Sequence, residues 1–192
     1  MYRAMAWLAR HDGVDLANEE AVEQFSHKAD VSLSLFDGKT IVTVNGIDVT
    51  DEIRTPAISM LTSSIAALAP VRQAMTTLQR KIGADGGVVL DGRDIGTVVF
   101  PDAELKFFLS ASAEERGRRR FLELQHKGVQ TTLEETINDV TERDRKDSER
   151  ALAPLRQADD AIVIDSTGIS IDEVVTRMMQ EVLRVTSLER IG

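Results

Sequence analysis

GGVVLDGRD, residues 86–94, decides how the chain is read. Val88, Val89 and Leu90 form a continuous apolar run bounded by Gly86-Gly87 and closed by Asp91. That is the composition of a short strand buried on both faces. AELKFFLSA (103–111) and DAIVIDST (160–167) repeat the pattern. Helical patterns follow: Ser112-x-x-Glu115 is a capping box that opens an Arg-rich helix, and Thr132-x-x-Glu135 opens one ending in ERDRKDSER (142–150). Ser170-x-x-Glu173 opens a last helix with Ile171, Val174, Val175, Met178 and Val182 on one face. Buried strands alternating with helices predict an α/β fold, a parallel sheet with helices on both faces. Three strands are few for such a sheet, so this core reads one or two strands short.

Ahead of this region the period changes. DVSLSLFDGKTIVTVNGIDVT (30–50) alternates apolar and polar residues and breaks at Asp37-Gly38 and Asn45-Gly46, the strongest short hairpin signals. Residues 30–50 therefore read as a small three-stranded antiparallel insert between 1–29 and 51–192, which form the core. Helices are expected from 17 to 29, from Thr55-Pro56 to about 68, and from 70 to about 82, the second with Thr as N-cap and Pro in the first turn. The chain opens as MYRAMAWLAR, helical from its first residues, with no Ser, Thr, Asp or Asn ahead of it to cap the exposed amides.

Composition bounds the function. With 42% hydrophobic and 29% charged residues the chain has globular rather than disordered character. A net charge of −9 is a poor footprint for neutralising nucleic-acid phosphates, so no nucleic-acid partner is expected. There is no cysteine, which excludes disulfides and thiolate metal sites. No apolar run approaches the roughly 20 residues of a membrane span, and the first residues lack the pattern of a signal peptide, so a cytoplasmic protein without membrane contact is expected.

Three clusters could carry chemistry. Asp91 closes an apolar strand, where ligands of open α/β sheets gather and where a carboxylate can organise Mg²⁺ on a nucleotide. Gly92-Arg93-Asp94 adds a guanidinium and a second carboxylate; a tight turn with a surface ion pair is the alternative. Arg116, Arg118, Arg119 and Arg120 stand in the first turns of a helix, against its dipole, a placement that a bound polyphosphate would explain and that Glu114 and Glu115 offset in part. Arg143, Asp147 and Arg150 fall at i, i+4 and i+7, either a solvated ladder of ion pairs or a basic lid closing on phosphates. FDGKTIV (36–42) imitates the end of a phosphate-binding loop, but Leu33 stands where the first Gly is required, and a strand follows instead of a helix.

With IRTP (53–56), Ser63-Ser64 and APVR (69–72) in place, the order DGRDIGTVVFP (91–101), EERGRRR (114–120), ERDRKDSER (142–150) and IDST (164–167) resembles the bacterial cytidylate kinases over essentially the whole chain. These are nucleoside-monophosphate kinases of the P-loop superfamily. The resemblance implies transfer of the γ-phosphoryl group of ATP, with Mg²⁺, to CMP or dCMP. It implies that Ser63, Arg72 and Asp94 read the cytosine. Arg3 and Arg93 would hold the acceptor phosphate, with Tyr2 beside the sugar-phosphate. Arg143 and Asp147 would meet the sugar and the transferring phosphate, and Arg150 would close from a lid at about 143–155. Arg116, Arg119 and Arg120 match the helix that meets ATP; which of them meets adenine and which phosphate stays open. Asp91 would act on Mg²⁺ indirectly.

The chain also departs from the family. Tyr2-Arg3 matches the end of a motif that in the family follows a first strand, a Gly-rich loop and a helix. The expectation is an N-terminally truncated kinase core of low activity, a monomer as in the family or one that associates through the truncated edge. A nucleotide-binding remnant without catalysis and an interaction fragment are the alternatives.

Overall fold

The apolar spacing of the opening stretch becomes helix α1 (Tyr2–His11), which buries Ala4, Met5, Ala6, Leu8 and Ala9. Met1 stands at its N-cap and supplies no side-chain cap. The computed structural model describes residues 1–189, which divide into two units. Met1–Val89 with Arg150–Leu152 make the first; Leu90–Glu149 with the chain from Ala153 make the second.

In the first unit, α2 (Glu19–Lys28) starts at Asn18, whose side-chain oxygen accepts from the Ala21 amide at 3.1 Å. Strands β1 (Val31–Phe36), β2 (Lys39–Val44) and β3 (Ile47–Asp48) form an antiparallel sheet in that order. Both turns carry two consecutive residues at positive φ: Asp37 (48°) and Gly38 (72°), then Asn45 (49°) and Gly46 (79°). Such turns match the right-handed twist of a hairpin, which is why these dipeptides mark the register. After a 3₁₀ turn at Glu52–Arg54 come α3 (Pro56–Ile65) and α4 (Ala69–Ile82). Thr55 Oγ1 caps α3 by accepting from the Ile58 amide, with Pro56 in the first turn, where its missing N–H costs nothing. Helix α1 packs on α3 and β2, and α2 on α4. Met5, Val44, Ile65 and Val71 are sealed from solvent in this core.

The second unit opens with a wide turn at Ile95–Val99, then β4 (Phe107–Ser110), α5 (Ala113–His126), α6 (Leu133–Glu149), β5 (Ile162–Asp165) and α7 (Ile171–Glu189). Strands β4 and β5 pair in parallel, Phe107 opposite Ile162 and Ser110 opposite Asp165, so α5 and α6 form the crossover that parallel strands require. Ser112 Oγ accepts from the Glu115 amide. Thr132 and Glu135 cap each other reciprocally, and Ser170 Oγ accepts from the Glu173 amide. Helices α5 and α6 meet at Gly117, where a Cβ would lie 2.9 Å from the Ile137 Cα.

The expected fold class holds, with local corrections. Residues 88–91 are not a strand: among the described residues nothing pairs with them, and Val89 is fully exposed. An apolar run favours extended backbone, but a strand also needs a ladder partner to satisfy its amides and carbonyls. Strands β4 and β5 are half-exposed rather than buried, with Leu109 52% and Val163 51% exposed. They stand on opposite faces, because the register sets Leu109 opposite Ile164 and Phe108 opposite Val163. On α7, Val174, Met178 and Val182 are half-buried as expected, whereas Ile171 and Val175 are exposed.

Candidate functional site

In the first unit, the tip of α1 carries Tyr2 and Arg3. Arg3 Nη1 donates to the Ile53 carbonyl at 3.1 Å and to Ser59 Oγ at 2.9 Å, tying α1 to the 3₁₀ turn and to α3. Arg72 reaches from α4 to the end of α3, where Nη1 donates to the Ala66 carbonyl at 2.9 Å. A cation is favourable at a helix C-terminus, whose carbonyls carry partial negative charge. The Arg72 guanidinium also lies 5.5 Å from the centre of the Tyr2 ring, within cation–π range. Burial of Arg72 to 6% exposure fixes its head group as a donor surface rather than a mobile charge. Ser63 stands half-buried on α3. The structure thus joins Tyr2 and Arg72 directly and anchors Arg3 beside α3. Arg150, expected in the lid, groups with this unit.

In the second unit a carboxylate sits among guanidiniums. Asp147 is 4% exposed; its Oδ2 lies 3.3 Å from Arg93 Nε and 3.9 Å from Arg143 Nε. Helix α6 brings Arg143 and Asp147 to one face through their i, i+4 spacing. Arg93 comes from the turn before Ile95–Val99. Asp94 is buried, and its carbonyl accepts from the Val98 amide at 2.9 Å and the Val99 amide at 3.2 Å. Burial pushes the Arg143 guanidinium below its ordinary pKa, and the charges of Arg93 and Arg120 push the same way against Asp147 and Asp144. Mutually repelling, partly desolvated cations gain from an anion placed among them.

The basic helix is more heavily committed than its sequence suggests. Arg116 pairs with Asp144 and donates to the Ala111 carbonyl at 3.0 Å. Arg119 donates to Glu115 at 2.8 Å and to the Ser166 hydroxyl and carbonyl at 3.1 and 2.6 Å, so it fastens α5 to the end of β5. Arg120 pairs with Glu123 and Arg118 with Glu115. Asp91 is exposed, and no group of three acidic or histidine side chains poised for a metal occurs among the described residues.

Sequence reasoning missed Asp144, Ser166 and Lys106. Lys106 had a legible sign, a lone cation inside an apolar strand run, where an unpaired charge is costly.

Comparison with known proteins gives the family. A protein-family model described as Cytidylate kinase matches residues 1–184. The chain is similar to the cytidylate kinase of Geobacter sp. (strain M21), 52% identical over 95% of this chain and 78% of that one. It is 54% identical to the cytidylate kinase of Geobacter sulfurreducens, over 93% and 76% of the two chains. The cytidylate kinase of Pseudomonas aeruginosa is 47% identical over 94% and 80%.

Proposed function

The chain belongs to the cytidylate kinase family, and from that premise we propose that it transfers the γ-phosphoryl group of ATP to CMP or dCMP. The observation that carries this reading is that two guanidiniums, Arg93 and Arg143, share the one buried carboxylate of Asp147, which leaves positive charge for a phosphate. Phosphoryl transfer needs in-line positioning and neutralisation of the equatorial oxygens more than a strong general base. Arg93 binds the acceptor phosphate. Arg143 is kept in register by Asp147 and stabilises charge on the transferring group; Arg150, grouped with the first unit, is the candidate lid cation. Asp94 reads the cytosine amino edge, as a carboxylate can accept from it. In the first unit, Arg72 and Ser63 are the candidates for base recognition, Arg3 for the phosphate and Tyr2 for the sugar-phosphate. Arg116, Arg119 and Arg120 are all paired within the chain, with Asp144, Ser166 and Glu123 respectively, so whichever of them meets ATP exchanges one of these ties for the ligand.

Mg²⁺, brought with ATP, supplies further charge neutralisation on the donor phosphates, and Asp91 would hold it through water. Gly38-Lys39-Thr40 runs from the β1–β2 turn into the start of β2, and these 192 residues hold no Gly-x-x-x-x-Gly-Lys-[Ser/Thr] loop. Binding of CMP and turnover are therefore separable. For the 192-residue polypeptide we expect calorimetric heat with CMP, weakened on the order of 100-fold in Arg143→Ala, as for loss of a charged hydrogen-bonding partner. In a coupled ADP assay its turnover should fall well below the roughly 1–100 per second usual for kinases. Absence of heat with CMP, or unchanged affinity in Arg143→Ala, would overturn the reading.

A further inference from the structure

Lys106 is the most deeply buried cation of the second unit among the described residues, its side chain 7% exposed, and nothing in the reading above uses it. It stands immediately ahead of β4, and its carbonyl accepts from the Ile162 amide at 2.9 Å, so its backbone is fixed by β5. From there the side chain runs back beneath the turn that follows Asp94. Its stem passes Gly96 so closely that a Cβ there would lie 3.2 Å from Lys106 Cδ. At the far end Nζ donates to the Pro101 carbonyl and to Asp160 Oδ2, the latter at 2.6 Å.

The 94–101 segment is held inside by a few bonds. The Asp94 carbonyl takes the Val98 and Val99 amides, and the Ile95 carbonyl takes the Phe100 amide at 2.7 Å. These bonds close the turn on itself. Lys106 adds an attachment at two points, packing under Gly96 near the start and gripping the Pro101 carbonyl at the end. Asp160, one residue before Ala161 and β5, neutralises the cation, and the ammonium holds the Asp160 carboxyl below its ordinary pKa. An apolar residue of similar length would fill the same space without desolvating a charge, so packing alone does not explain a lysine here. A point charge that must meet a carbonyl and a carboxylate together specifies one position of the turn.

We propose that Lys106 is a positioning residue for the acceptor nucleotide: by clamping Gly96 and Pro101 to the sheet and pairing with Asp160, it sets the turn that presents Arg93 and Asp94. The inference rests on the assignment of Arg93 and Asp94 to CMP.

The test is CMP affinity by calorimetry on the 192-residue polypeptide, with thermal melting in parallel. Lys106→Met is expected to weaken CMP roughly tenfold, and Lys106→Arg, which can reach both oxygens, to restore most of that loss. Asp160→Asn, which keeps the volume and removes the charge, should weaken binding in the same direction by a smaller factor. The decisive measurement is the double variant. If Lys106 acts through the turn, adding Lys106→Met to Arg93→Ala costs clearly less than the roughly tenfold it costs in the wild-type chain, because only the Asp94 contact is left to lose. A full tenfold further loss in that background would mean general damage to the fold and would overturn the proposal, as would wild-type affinity in Lys106→Met. Should Lys106→Met melt out, Asp160→Asn carries the same cycle with Arg93→Ala. Unchanged affinity in Arg93→Ala alone would instead remove the underlying assignment of Arg93.

Discussion

The two units are built on different physics. In the first, Met5, Val44, Val49, Ile65, Val71 and Met75 are nearly or wholly sealed, and helices and sheet share one apolar cluster. In the second, only Val99, Leu124 and Ile164 are apolar and buried among the described residues. Its elements are joined instead by Arg119 to Ser166, Arg116 to Asp144, Arg93 to Asp147 and Lys106 to Asp160. Apolar burial is non-directional and tolerates the pH and salt of its surroundings. Ionic ties are directional and depend on both. The difference teaches where each kind of chemistry can sit: residues that grip a phosphate must be charged and addressable, and a unit crowded with them has little room for a core.

The comparison can be broken most severely at Met5. Met5→Ala empties a fully buried site and is expected to cost about 2–5 kcal/mol in urea denaturation, as large-to-small changes in packed cores do. Leu124→Ala, in the second unit at 9% exposure, should cost distinctly less. Equal losses at the two sites would show that the units are not differently built.

Gly117→Ala probes a tight helix–helix contact in the second unit. The added Cβ would meet Ile137 at its Cα as well as at its side chain, so α5 and α6 must separate rather than merely repack a rotamer. The expected cost is about 1–3 kcal/mol, as for overpacking, read from the urea midpoint. A neutral outcome would mean that the contact between these helices yields more easily than its geometry implies.

The smallest and most diffuse effect is acid sensitivity. Arg145 holds the Glu142 carboxyl down to about 2, from an ordinary value of 4.5. Lys127, Arg118 and Lys106 likewise lower Glu123, Glu115 and Asp160. A carboxyl with a depressed folded-state pKa contributes stability above its unfolded value and loses it as the pH falls through the folded one. These groups lie in the second unit, so its amides should lose hydrogen-exchange protection first as the pH drops from about 4.5 towards 2. Earlier loss in the first unit would contradict this.

Local chemistry was legible from residues alone. Thr55-Pro56, Ser112-x-x-Glu115, Thr132-x-x-Glu135 and Ser170-x-x-Glu173 each begin the helix their spacing announces, because a cap is a contact among neighbours in the chain. Asp37-Gly38 and Asn45-Gly46 fixed the small sheet for the same reason. The candidate site was legible as a set of motifs, since Arg143 and Asp147 share a face by helix geometry. Their junction with Arg93, 54 residues from Asp147, was not. Nor was the use of Arg119 on Ser166, 47 residues away, which spends a cation that looked available for a ligand.

By itself, the sequence determined the α/β class, the helix starts, the hairpin register and the family's motifs, all of which depend on residues a few positions apart. Tertiary structure alone decided that 88–91 forms no strand, which face of α7 is covered, and that Lys106 finds its counter-charge at Asp160. A ladder partner, a covering surface and a buried ion pair are each supplied by a distant part of the chain, and no local spacing encodes them.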